Sequence, residues 1–167
     1  MIAIVNINPN WGIGSENRLL VRIHADMRRF RALTQNNTVI FGRKTLETFP
    51  NGDPLPNRSN IVLTRDPDYQ KDGLTVCHDL NELKTALSGL DPETVFVCGG
   101  EQVYRLLLPY CSAAYVTLTE TYAAADRYFP NLNRLSNWTL KETGERQIEN
   151  GTAFRYLAYV NTEIKEL

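Results

Sequence analysis

The chain has 167 residues, 43% of them apolar and 22% charged, with 18 basic against 19 acidic residues and a net charge of −1. That size and balance suit one globular domain with a sizeable core. They exclude a nucleic-acid binder built on basic excess and, because no apolar run approaches spanning length, a helical membrane protein. Cys77, Cys98 and Cys111 are widely spaced and odd in number, so they make neither a disulfide framework nor a CxxC metal site. No metal is expected. The N-terminus lacks the basic region of a signal peptide, and a reducing cytoplasm is the expected location.

The β-branched run Ile2 to Ile7 predicts a central strand, and Asn8 to Gly14 a loop by composition. An amphipathic helix is expected over 22–34 and a second strand over 38–41. Leu46 to Phe49 reads as a short helix stopped by Pro50-Asn51-Gly52, followed by an extended loop from Asp53 to Ser59. Strands follow at 60–64 and 74–77, with a helix over 80–87. A fifth strand, 94–98, runs into Gly99-Gly100 and a helix over 101–108 that Pro109 stops, and a sixth covers 114–119. The segments 138–141 and 153–160 alternate as an antiparallel hairpin does. The fold class is therefore α/β: a mixed, mainly parallel central sheet, helices on both faces and a C-terminal antiparallel hairpin. Ligands of such sheets bind at the carboxyl ends of the strands.

Asp26, Phe30 and Leu33 lie at i, i+4 and i+7 of the first helix and share the face that should be buried. An acid there either caps the helix N-terminus or points into a pocket to bind a polar ligand under Phe30. On the helix alone, capping is the simpler reading. Arg28, Arg29 and Arg31 read as a solvated face. Among the strand ends, Gly42-Arg43-Lys44-Thr45, Cys98-Gly99-Gly100-Glu101 and Thr64-Arg65 each suit an anion, yet none is a P-loop or a G-x-G-x-x-G turn. Singly they read as turn glycines and surface charge. Together they suggest a dinucleotide carrying an extra phosphate, such as NADPH.

In order and spacing the chain resembles the dihydrofolate reductase family over nearly its whole length. The matching segments are Trp11-Gly12-Ile13-Gly14 with Glu16-Asn17, Ala25 to Phe30 with Thr34, Ile40 to Thr45, and Pro54 to Asn60. Val97 to Tyr104, Tyr115-Val116-Thr117 and Asp126 to Pro130 complete the set.

The resemblance implies reduction of 7,8-dihydrofolate to tetrahydrofolate with NADPH, by hydride transfer to C6 and protonation of N5. Such an enzyme supplies one-carbon and thymidylate metabolism and is an antifolate target. Asp26 would be the catalytic acid that pairs with the pterin, with Thr117 supporting it. Ile4, Val5, Met27 and Phe30 would line the pterin slot, and Arg58 would take the glutamate tail.

On the cofactor side the family pattern implies Gly42, Arg43, Lys44, Thr45, Thr64 and Arg65 for the adenosine end and 2′-phosphate. Cys98, Gly99, Gly100, Glu101, Gln102, Val103 and Tyr104 would serve the pyrophosphate and nicotinamide. Asn6 and a loop carrying Ile13, Gly14, Asn17 and Leu19 would close over them. A monomer with small-molecule partners, no nucleic acid and no membrane is implied. The chain departs from the family at Leu20-Val21 (usually Pro-Trp), His24 (usually proline), Asn6 (commonly alanine) and Ala125 (often glycine). His24 reads as a solvated helix start and His78 as an exposed surface residue. The alternatives are a related NADPH-dependent pyrimidine reductase, which would not need Asp26, Phe30 and Arg58, and a low-activity folate- or NADP-binding homologue.

Overall fold

The structure, a computed structural model describing residues 1–167, is organised on a nine-stranded sheet. In chain order the elements begin with β1 (Ile2–Ile7), β2 (Gly12–Ser15), β3 (Arg18–Leu19), α1 (His24–Thr34), β4 (Thr38–Gly42) and α2 (Arg43–Leu46). They continue with β5 (Ser59–Leu63), β6 (Thr75–Cys77), α3 (Leu80–Ala86), β7 (Val95–Val97) and α4 (Glu101–Leu107). Last come β8 (Ala113–Thr119), β9 (Arg127–Tyr128), β10 (Trp138–Thr143), β11 (Gln147–Glu149) and β12 (Thr152–Asn161). The spatial order is β10-β12-β8-β1-β7-β4-β5-β6, with β11 also on β12. From β8 to β6 every pairing is parallel, whereas β10, β11 and β12 pair antiparallel. This is the expected mixed sheet, with β1 paired on both sides.

Period-two alternation sorts the strand side chains to two faces. Ile2, Ile4, Val39, Phe41, Val62 and Phe96 pack on one side with Leu46 of α2 and with Phe30 and Leu33 of α1. Ala3, Val5, Ile40, Val95 and Val97 pack on the other with Leu83 of α3 and Leu107 of α4. Each face is covered by helices, as a parallel sheet requires.

Three expectations need correcting. The first helix starts at His24 rather than Arg22. The second starts at Arg43, directly after β4, and residues 50–52 make only a single 3-10 turn. The segment expected as loop at 12–19 is a hairpin, β2 with β3, which β9 extends into a three-stranded sheet. Asn17 and Glu16 at its tip have φ of 59° and 50°, as a tight turn demands.

Candidate active site

The residue before α1, Ile23, has no side chain to cap the helix. The open N–H groups are taken instead by Glu149 of β11, which accepts from His24 N–H at 2.5 Å and Ala25 N–H at 3.1 Å. Partial burial works against the charged form of Glu149, but those two N–H groups, with His24 and Arg28 nearby, hold its carboxyl below the usual range. Capping therefore does not occupy Asp26. Its side chain turns inward, where Asn6 Nδ2 donates to Oδ2 at 2.9 Å and Thr117 Oγ1 donates to Oδ1. Asn6 and Thr117 face each other in register on β1 and β8, which is how one helical carboxylate meets both.

Phe30, one turn further, is half-buried beside it, while Met27 is 49% exposed and stands at the rim. Arg58 is pinned: Nε donates to Thr34 Oγ1 and Nη1 to the Pro56 carbonyl, both at 2.8 Å, with the guanidinium 5.8 Å from the Phe30 ring centroid. Burial and the neighbouring Arg31 pull its pKa down, and a guanidinium starts high enough to stay charged at neutral pH. Arg29 is not simply solvated: it stacks 4.2 Å over Tyr156 and 5.6 Å over Tyr115.

Past this acid a cleft of about 910 Å³ runs along the strand ends. Val5 and Asn6 line its inner end; Gly42 to Thr45, Thr64 and Arg65 form one wall. Cys98 and Gly100 to Tyr104 form another, and the β2–β3 hairpin covers it with Ile13, Gly14, Asn17 and Leu19. The two turns interlock. A Cβ on Gly42 would lie 3.3 Å from Val103 Cγ2, and one on Gly100 would lie 3.2 Å from Thr45 Oγ1. Gly99 does not line the cleft. It has φ of +110°, its carbonyl accepts from Gly42 N–H at 2.7 Å, and a Cβ there would meet the Tyr104 ring at 3.0 Å.

Tyr104 donates its hydroxyl to the Ile4 carbonyl at 2.6 Å, and burial raises its pKa well above the ordinary value, so it stays a neutral donor. Burial likewise pushes the Cys98 thiol far up and keeps it protonated. The lining carries six cationic side chains against three carboxylates, and Arg18, Lys44 and Arg65 have no ion-pair partner. Free backbone donors, close-approach glycines and surplus cations fit a phosphorylated dinucleotide. At four residues α2 has little macrodipole to contribute, so its turn works through side chains and open N–H groups.

Several members of this site escaped the sequence. His78, expected on the surface, is half-buried on the cleft wall with Nδ1 3.1 Å from the Thr64 carbonyl. Asn6, expected toward the cofactor, lines the cleft but gives its amide to Asp26. A polar residue within an apolar central strand was the visible signal for it. Arg18 and Arg127 join the lining because β2 pairs with β3 and β9. No group of three or more His, Cys, Asp or Glu side chains could hold a metal ion.

Comparison with known proteins bears on this geometry. The family model described as dihydrofolate reductase matches residues 1–161. The chain is 37% identical over 158 residues to the dihydrofolate reductase of Bacillus subtilis (strain 168), covering 93% of this chain and 91% of that one. It is 40% identical over 112 residues to that of Mycobacterium leprae (strain TN), 66% of each chain. Its structure is similar to that of dihydrofolate reductase from Enterococcus faecalis complexed with NADP(H) and RAB-propyl. The TM-score is 0.84 at 31% identity, covering 96% of this chain and 95% of the other.

Proposed function

The chain belongs to the dihydrofolate reductase family, and we propose how its own residues carry out that family's reaction. It is an NADPH-dependent oxidoreductase that reduces 7,8-dihydrofolate to 5,6,7,8-tetrahydrofolate, with hydride transfer to C6 and protonation of N5. NADPH, when bound, supplies the hydride; the protein supplies alignment, electrostatics and exclusion of water.

Asp26 accepts the two parallel N–H groups of the pterin edge, N3–H and the 2-amino group. Each of its oxygens already takes one protein donor and keeps a lone pair for the ligand. Ile4, Val5 and Phe30 hold the ring, Met27 covers its rim, and Arg58 pairs with the α-carboxylate of the glutamate tail. Asp26 acts by binding and polarising the pterin, and N5 takes its proton from a water admitted beside the β2–β3 hairpin. Arg43, Lys44, Thr45, Thr64 and Arg65 hold the adenosine end and 2′-phosphate. Gly100 to Gln102 offer backbone donors to the pyrophosphate, with Val103 and Tyr104 behind the nicotinamide.

The observation that carries this reading is a half-buried carboxylate held by Thr117 and by Asn6, which itself lines the cleft, and flanked by Phe30. The test is loss of NADPH absorbance with dihydrofolate, wild type beside Asp26→Asn. Two hydrogen bonds to an ionised group predict a fall in kcat/KM of about a hundredfold at neutral pH. Equal activity would remove Asp26 from the role.

We also propose a cytoplasmic, single-domain monomer. All these side chains come from one chain, the three cysteines are free thiols, and no helix is long and apolar enough to cross a membrane. Light scattering should return the 19.0 kDa mass of one chain; twice that mass would overturn the monomer.

A further inference from the structure

The side chain of Asn6 is oriented at both ends. Nδ2 donates to Asp26 Oδ2 at 2.9 Å, and Oδ1 accepts from Thr119 Oγ1 at 2.8 Å. An ionised carboxylate only accepts, so the amide nitrogen faces Asp26 and the amide oxygen faces the hydroxyl. Thr119 is fully buried and lies two residues past Thr117 on β8, on the same face of the strand. Donors thus run from Thr119 through Asn6 to one oxygen of Asp26, while Thr117 serves the other. A carboxylate held at one oxygen can still turn about its last side-chain bond. Held at both, its plane is fixed. An alanine at position 6 could supply neither the donor nor the link to Thr119.

We propose that Asn6 is a positioning residue for the substrate-binding carboxylate, holding the plane of Asp26 square to a ligand with two parallel N–H donors through the relay from Thr119. This rests on the reading of Asp26 as the pterin acid. The buried Thr119 hydroxyl touches Asn6 and is not part of the cleft wall, so its influence on substrate passes through the amide.

The experiment measures Kd for dihydrofolate and for NADPH, with kcat and KM, in wild type, Asn6→Ala, Thr119→Val and the double variant. Asn6→Ala should weaken dihydrofolate about tenfold, the worth of one hydrogen bond to an ionised group. In Thr119→Val, where the lost hydroxyl is not part of the cleft wall, NADPH should stay within about twofold, which also shows that the fold is intact. Thr119→Val should weaken dihydrofolate by less, about threefold, and the double variant should be no worse than Asn6→Ala alone, because without the amide the hydroxyl has nothing to orient. Equal losses for both ligands in Thr119→Val, multiplicative effects in the double variant, or unchanged dihydrofolate binding in Asn6→Ala would overturn the proposal. A parallel arm in Asp26→Asn separates the two readings. If that variant binds and turns over dihydrofolate as wild type, the role of Asp26 fails. If it is impaired while Asn6→Ala is not, only the relay fails.

Discussion

A methyl group on Gly12 would lie 2.5 Å from Ala125 Cβ, in the loop before β9, and 3.0 Å from Asn8 Oδ1, so these neighbours leave no room for a side chain at position 12. The departure from the family at position 125 and the glycine at 12 are two halves of one contact. Gly12→Ala should lower both Tm and turnover, and Ala125→Gly in the same chain should restore part of each. A double variant no better than Gly12→Ala would show that the clash lies elsewhere. On the opposite wall Arg65 is exposed and unpaired, free for a phosphate monoester. Arg65→Ala should weaken NADPH by roughly tenfold to a hundredfold, the cost of a charge-assisted hydrogen bond, and leave NADH nearly unchanged. Titrations that lose both cofactors equally would remove Arg65 from the 2′-phosphate.

The helix α1 is fastened from outside itself. Glu149, on a hairpin 125 residues away in sequence from His24, takes the N-terminal N–H groups, while Asn6 and Thr117 hold Asp26 inward. Glu149 is held below its unfolded pKa, so its contribution to stability is present above the ordinary carboxyl range and is lost as pH falls through the folded value. Wild type should therefore be more stable than Glu149→Gln at neutral pH, with the gap closing in acid. A gap that stays constant with pH, read from denaturant midpoints, would show that the charge is irrelevant. The sequence carried half of this element. The i, i+4, i+7 spacing of Asp26, Phe30 and Leu33 gave the buried face, because local periodicity encodes it. Neither Glu149 nor the Asn6 bond could be read, because both are contacts across the fold with no local pattern.

At the scale of the molecule, a net charge of −1 conceals a cleft in which cations outnumber acids two to one. Such a field gathers anions, and salt screens it over about 10 Å at 0.1 M. The association rate for NADPH should fall as ionic strength rises while that for an uncharged nicotinamide stays flat; equal slopes would discount the field. Most of the large sheet was legible because mainly apolar runs mark its strands, from three residues in Val95–Val97 to six in Ile2–Ile7; Gln147–Glu149 carries no such run and was missed. The small sheet was not legible, because Gly12–Ser15, Arg18–Leu19 and Arg127–Tyr128 are short, polar or glycine-rich and pair only through tertiary contact. The placing of Glu149 has one more consequence, which concerns time. As the chain leaves the ribosome, α1 emerges among the first elements, yet the residue that closes its leading turn emerges near the end. The central strand β1 likewise waits for β7 and β8. Asp26 gains its Thr117 partner only after two thirds of the chain is made, and a nascent chain ending before residue 149 carries α1 without the carboxylate that closes its leading turn.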